Sequence, residues 1–113
     1  MNSQTLYYVY DPMCSWCWGF EKTWLQVKKS LPKSITIIYI LGGLAPDSKE
    51  IMSDEMRQYI QANWLKIQQT IPGTQFNFDF WKNCSPMRST YPACRAVIAA
   101  KNQGLEYELS MLN

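Results

Sequence analysis

Two short β-type runs with one helical stripe between them constrain this chain more than any other feature. Residues 5 to 10, TLYYVY, are β-branched and aromatic and stop at Asp11-Pro12, the composition of a short buried strand closed by a turn signal. Cys17, Phe20, Trp24, Val27 and Leu31 follow at steps of three, four, three and four, which is the stripe of one helix face. That helix ends near Ser30 or Leu31, because Pro32 restricts the residue before it and cannot continue the hydrogen-bond ladder. SITIIYIL, residues 34 to 41, then reads as a second strand whose nearly continuous apolar character predicts burial on both faces of a parallel sheet. Strand, helix and strand make a βαβ unit, since parallel strands need a crossover connection.

After Gly42-Gly43 the pattern turns helical. Ser53 can cap a helix with Asp54 and Glu55 in its first turn and Met56, Ile60, Trp64, Ile67 and Ile71 on its apolar face, stopped by Pro72-Gly73. Another runs from Ser89 or Thr90, with Pro92 tolerated in its first turn, to Gly104 as a left-handed cap, and a further one starts near Leu105. FNFDFW, residues 76 to 81, fits either a short strand or an aromatic-anchored loop. Two parallel strands are too few for a stable sheet, and no later segment offers a third. The expectation is therefore the front portion of a longer protein, or a second copy that completes the sheet as a dimer.

Composition narrows the function classes. A chain of 113 residues with 47% hydrophobic and 14% aromatic content is expected to pack as one globular domain. A formal charge of +2, carried by scattered Lys and Arg, gives no stripe for nucleic acid and no polybasic run for a membrane surface. No apolar run approaches the roughly 20 residues that span a bilayer. The amino terminus has no basic region, apolar stretch and cleavage site of a secretory signal, so a cytoplasmic location is expected. With no histidine in the chain, cysteine is the conspicuous reactive residue type.

In YDPMCSWCWGF, residues 10 to 20, Cys14 and Cys17 form a C-x-x-C at the start of the first helix. Unpaired N–H groups and the dipole at a helix amino terminus stabilise a thiolate, which attacks a disulfide; a second thiol three residues on can resolve the mixed disulfide. The helical stripe places Cys17 in the buried series and Cys14 at the exposed start, which assigns Cys14 as nucleophile and Cys17 as resolving thiol. Neither Ser15 nor Trp16 carries a cation, so the helix terminus is expected to supply most of the activation. Trp16 and Trp18 could offer an apolar platform to substrate, although Trp18 also fits ordinary core beside Phe20. Asp11 and Glu21 could accept a proton from Cys17, but a turn Asp and a solvated helical Glu are the simpler readings. Four cysteines could ligate one zinc ion; Cys84 and Cys94, ten apart and without a second C-x-x-C, read instead as small buried hydrophobes or a helix-side thiol. No metal and no cofactor is expected.

YDPMCSWCWGF, together with RSTYPACRAVIAAK at residues 88 to 101, resembles the DsbA-like branch of the thioredoxin superfamily, and especially its FrnE-like group of predicted protein-disulfide isomerases. The resemblance implies an α/β fold in which residues 1–45 form a thioredoxin-like βαβ half-domain and residues 46–113 an inserted helical subdomain. It matches Cys14 and Cys17 to the active-site cysteines and Ser15-Trp16 to the dipeptide that tunes redox poise. The dipeptide departs from the Pro-His of strongly oxidising members, and the family's cis-proline loop, expected opposite the cysteines, has no counterpart here. Relatives on the same scaffold, the kappa-class glutathione transferases and hydroxychromene carboxylate isomerases, typically carry serine where this chain has Cys14.

The expected function is thiol–disulfide exchange, as reductase or isomerase, with disulfide-containing proteins or small thiols as substrates. The rival class is a non-enzymatic binding module, either zinc-stabilised or a helical interaction domain.

Overall fold

The computed structural model describes residues 3–112; Met1, Asn2 and Asn113, the outer ends of the two expected segments, lie outside it. Along the chain run β1 (Gln4–Tyr10), α1 (Ser15–Ser30), β2 (Ile35–Leu41), α2 (Asp54–Thr70), α3 (Phe80–Asn83), α4 (Tyr91–Gln103) and α5 (Leu105–Leu112). β1 and β2 pair in parallel from Gln4 opposite Ile35 to Tyr10 opposite Leu41, so the opening unit is βαβ. No third strand joins them among the described residues.

The register sorts side chains by face. Tyr8 lies beside Tyr39 on one side, whereas Tyr7 with Ile38 and Val9 with Ile40 share the other. α1 covers the first side: Trp24 stacks on Tyr8 with ring centroids 4.1 Å apart, and Tyr39 meets both edge-on. The Trp24 indole donates to the Tyr39 hydroxyl at 3.3 Å. On the second side Tyr7, Val9, Ile38 and Ile40 are exposed. β2 thus alternates half-buried and exposed positions, and the expectation of burial on both faces is not met among the described residues, where one layer of helix packs on this sheet.

The predicted stripe of α1 also needs correction. Of its members only Trp24 is buried, joined by Gly19; Cys17 and Leu31 are half-buried, and Phe20 and Val27 are exposed. The helix is held from two directions, Trp24 toward the sheet and Gly19 toward α2. A Cβ at Gly19 would stand 2.8 Å from Ile67 Cγ2 and 3.1 Å from Ile71 Cδ1, so a side chain here would overpack the contact.

The helical part forms as its signals require. Ser53 Oγ accepts the Met56 N–H at 3.2 Å, with Asp54 and Glu55 in the first turn of α2. Residues 76 to 81 are an aromatic-anchored loop running into α3: Phe76 stacks on Trp64 at 4.5 Å and Phe78 meets it edge-on at 5.5 Å. Arg57 secures that loop by donating to the backbone carbonyls of Trp81 and Cys84. α4 starts after Thr90 with Pro92 in its first turn and buries Cys94, Val97 and Ala100. Gly104 ends it at φ +158° and ψ +147°, an extended conformation at positive φ rather than the expected left-handed cap. α5 packs beside α4, and its buried Glu108 pairs with Lys101 at 3.7 Å.

The shape departs from a globule. The radius of gyration is 16.1 Å, with extents of 53 × 32 × 19 Å, whereas a compact chain of this length would measure about 13 Å. Among the described residues only Ile67 and Val97 of the large side chains are fully buried, one in α2 and one in α4.

Candidate active site

β1 ends in a tight turn that delivers Cys14 to α1. The Cys14 N–H donates to the Asp11 carbonyl at 3.0 Å, closing the turn around Pro12, and the Asp11 carboxylate accepts the Met13 N–H at 2.8 Å. Cys14 is the N-cap residue of α1, with extended φ −81° and ψ 119°. Its sulfur makes no cap hydrogen bond of ideal geometry, yet the N–H groups of Trp16 and Cys17 lie close enough to favour its thiolate.

The two cysteines are pushed in opposite directions. The neighbouring Cys17 thiol, with the two backbone N–H groups, lowers the Cys14 pKa from 9.0 to about 6 against the opposing effects of burial and the Asp11 charge. Cys17 is raised by Cys14 beside it and by burial. The largest influence on Cys14 is therefore its partner thiol, where the sequence pointed to the helix terminus. Both residues are half-buried, so the expected contrast of an exposed Cys14 and a buried Cys17 does not hold. What distinguishes them is position, Cys14 at the N-cap and Cys17 inside the first turn, and the opposite directions of their shifts.

The neighbouring residues fall out unevenly. Trp16 and Trp18 are 39% and 57% exposed, so Trp18 is not core, and together with the exposed Met13 and Leu44 they form an apolar rim around the turn. Ser15 faces inward instead: its Oγ accepts the Trp64 indole N–H at 2.8 Å, tying the dipeptide between the cysteines to α2. A cleft of about 170 Å³ lies beside Cys17, walled by Tyr8, Trp18 and Trp24 and reached by Glu21 and Lys28. Asp11, read from sequence as a simple turn residue, is only 4% exposed. Its carboxylate also accepts the Leu44 N–H at 2.8 Å and the Cys94 thiol at 3.6 Å. The Asp-Pro dipeptide signalled the turn, but partners 33 and 83 residues away leave no local trace.

Cys84 is exposed and Cys94 buried, and all four cysteines are free thiols. Among the described residues no three Cys, Asp or Glu side chains converge as a metal site would require. Nor is any described helix long and apolar enough to cross a membrane.

Comparison with solved structures aligns nearly the whole chain. A candidate protein disulfide isomerase from Nitrosomonas europaea superposes with a TM-score of 0.81 at 28% identity, over 98% of this chain and 52% of that one. The cytosolic disulfide reductase DsbM from Pseudomonas aeruginosa superposes with a TM-score of 0.70 at 27% identity, over 96% of this chain and 50% of that one. The same reductase determined with GSH gives 0.68 at 26% identity, over 96% and 51%. This chain thus spans about half the length of the solved structures it matches. A search of curated proteins finds no match. The model of a thioredoxin family, however, matches residues 7–113, from the middle of β1 through the C-x-x-C turn and every helix. Together with the βαβ opening and its helical continuation, that match makes this chain a member of the thioredoxin family, of the DsbA-like kind.

Proposed function

We propose that this chain carries the reactive thiols of a cytoplasmic protein-disulfide reductase or isomerase, with Cys14 as nucleophile and Cys17 as resolving thiol. The observation that carries the reading is the placement itself, Cys14 at the N-cap of α1 with Cys17 in the first turn of the same helix, where the Cys14 pKa falls to about 6. At neutral pH Cys14 is then mostly thiolate. It attacks one sulfur of a substrate disulfide, forming a mixed disulfide and releasing the other sulfur as a thiolate. Cys17 gives up its proton and attacks the Cys14 sulfur, releasing the second substrate thiol and leaving a Cys14–Cys17 disulfide. Two electrons pass to the substrate, and a thiol reductant such as glutathione returns the pair to its starting state. If Cys17 does not intervene, the substrate's own thiol can displace Cys14, and the net result is isomerisation.

Disulfide-bearing proteins and small thiols are the substrate classes that suit the site. The apolar rim of Met13, Trp16 and Trp18 supports the first, and the GSH structure of DsbM supports the second. The cytosolic setting of that reductase supports a cytoplasmic one here.

Substitution tests the assignment. Cys14→Ser is expected to abolish exchange with a fluorogenic disulfide, and Cys17→Ser to accumulate a mixed disulfide with it, visible as a mass adduct on Cys14. Continued turnover by both variants would place the chemistry elsewhere. A redox titration of the Cys14–Cys17 pair in the full-length protein then separates reductase from isomerase.

A further inference from the structure

The Asp11 carboxylate sits where three segments meet. From the turn it receives the Met13 N–H at 2.8 Å; from the loop after β2, the Leu44 N–H at 2.8 Å; from the first turns of α4, the Cys94 thiol at 3.6 Å. Its own carbonyl holds the Cys14 N–H at 3.0 Å. One residue on, the loop is locked to the start of α4 by Thr90, which bonds the Ala45 carbonyl through its N–H at 2.9 Å and accepts the Ala45 N–H at 3.0 Å through Oγ1. A 4% exposed carboxylate with three donors would be a costly way to close a turn that many exposed Asp-Pro sequences close unaided. We propose that Asp11 is the positioning residue of the thiol site, fixing the turn that presents Cys14 and linking that turn, through Leu44 and Cys94, to the helical part of the chain.

The inference builds on the thiol-exchange reading but is measured separately from it. Asp11 acts on Cys14 in two opposed ways. Its bond to Met13 holds Cys14 at the helix start, which favours the thiolate; its negative charge disfavours it. The donors on Oδ2 temper that charge, so the state of Cys94 is felt at Cys14, across the interface between the βαβ unit and α4. The titratable groups facing this cluster are Tyr8 and Tyr10 of β1, Cys17 and Glu21 of α1, Tyr39 of β2, Cys94 of α4 and Glu108 of α5; Lys28 of α1 brings a cation to the same cleft.

The test is the pH profile of Cys14 alkylation in the reduced full chain, resolved by mass spectrometry so that other thiols do not interfere. Asp11→Asn keeps an oxygen for Met13 and removes the charge, so the midpoint should fall by about half a unit to one unit. Asp11→Ala removes the turn bond as well, so its midpoint should lie above that of the Asn variant. Cys94→Ala withdraws a donor from Oδ2 and should raise the midpoint by a few tenths of a unit, with Cys94→Ser, which keeps an O–H donor, returning it toward the original value. Coincident profiles for the unsubstituted chain and both Asp11 variants would reduce Asp11 to turn scaffolding and overturn the proposal. Should the Asp11 variants fail to fold, the Cys94 pair decides, and a Cys94→Ala profile identical to the unsubstituted one overturns it equally. Failure of the exchange reading looks different: the unsubstituted chain itself would titrate near about 8.5 and show no disulfide exchange, whatever the variants do.

Discussion

Cys14 and Cys94 both stand at the beginning of a helix, both lie near Asp11, and their thiols are driven apart. Cys14 is the N-cap of α1, beside N–H groups that no carbonyl claims, and its pKa falls to about 6. Cys94 lies within α4, its own N–H already bonded to the Thr90 carbonyl at 3.1 Å, and it is 6% exposed. Burial, then the Asp11 charge, then the hydrogen bond it donates to that carboxylate, all raise it. A helix start is therefore not enough to make a reactive thiol. Open backbone donors and a partner thiol are needed, and four residues of displacement along the helix, from N-cap Thr90 to Cys94, remove the first while burial withholds solvent.

Reactivity separates the two thiols most visibly. At pH 7 a thiol of pKa about 6 is ionised roughly thirtyfold more than an unperturbed one near 8.5, so Cys14 should alkylate at a rate that climbs through about pH 6 and then levels, while Cys94 stays unlabelled until the chain unfolds. Equal labelling of the two would erase the distinction. The sign carries over to stability. Because folding depresses the Cys14 pKa from 9.0 to about 6, the reduced protein gains stability as pH rises from about 6 to 9 and loses that contribution as pH falls through 6. Urea denaturation of reduced protein at several pH values should show this rise, and Cys14→Ser should flatten it.

The burial of Cys94 depends on Thr90, which Thr90→Ala would show. It strands the buried Ala45 N–H and should destabilise the fold by about 1–3 kcal/mol while making Cys94 labelable, as read by the urea midpoint and by mass spectrometry. On the Cys14 side, Ser15→Ala leaves the Trp64 indole without its acceptor and should cost about 1 kcal/mol, with a red-shifted tryptophan emission. The smallest effect belongs to Arg95→Ala. Its paired bonds to Asp47 at 2.9 Å lie on an exposed surface one residue from Cys94, and its removal should leave both stability and thiol labelling unchanged in physiological salt.

Much of this was open to a reader of the residues alone, and the failures share a cause. The βαβ order, the Ser53 cap, the Pro32 and Pro72 stops and the C-x-x-C at a helix start are local, written within a few positions of one another. The burial pattern is not local. Phe20 and Val27 have the spacing of core residues but stay exposed, whereas Gly19, which no hydrophobic pattern would select, is pressed against Ile67. Ser15 and Asp11 were similarly opaque, because the indole of Trp64, the Leu44 N–H and the Cys94 thiol reach them from distant parts of the chain. Periodicity marks which side of a helix is apolar, and only tertiary structure decides which part of that side is used.

The bare side of the β1–β2 pair has a consequence for how the protein behaves as a colloid. Tyr7, Val9, Ile38 and Ile40 make a continuous greasy strip beside a strand whose outer backbone edge is unpaired among the described residues, and a net charge of +2 supplies little mutual repulsion. Salting-out anions such as sulfate, which strengthen apolar burial, should drive this surface toward adhesion at protein concentrations where chaotropic salts keep it dispersed.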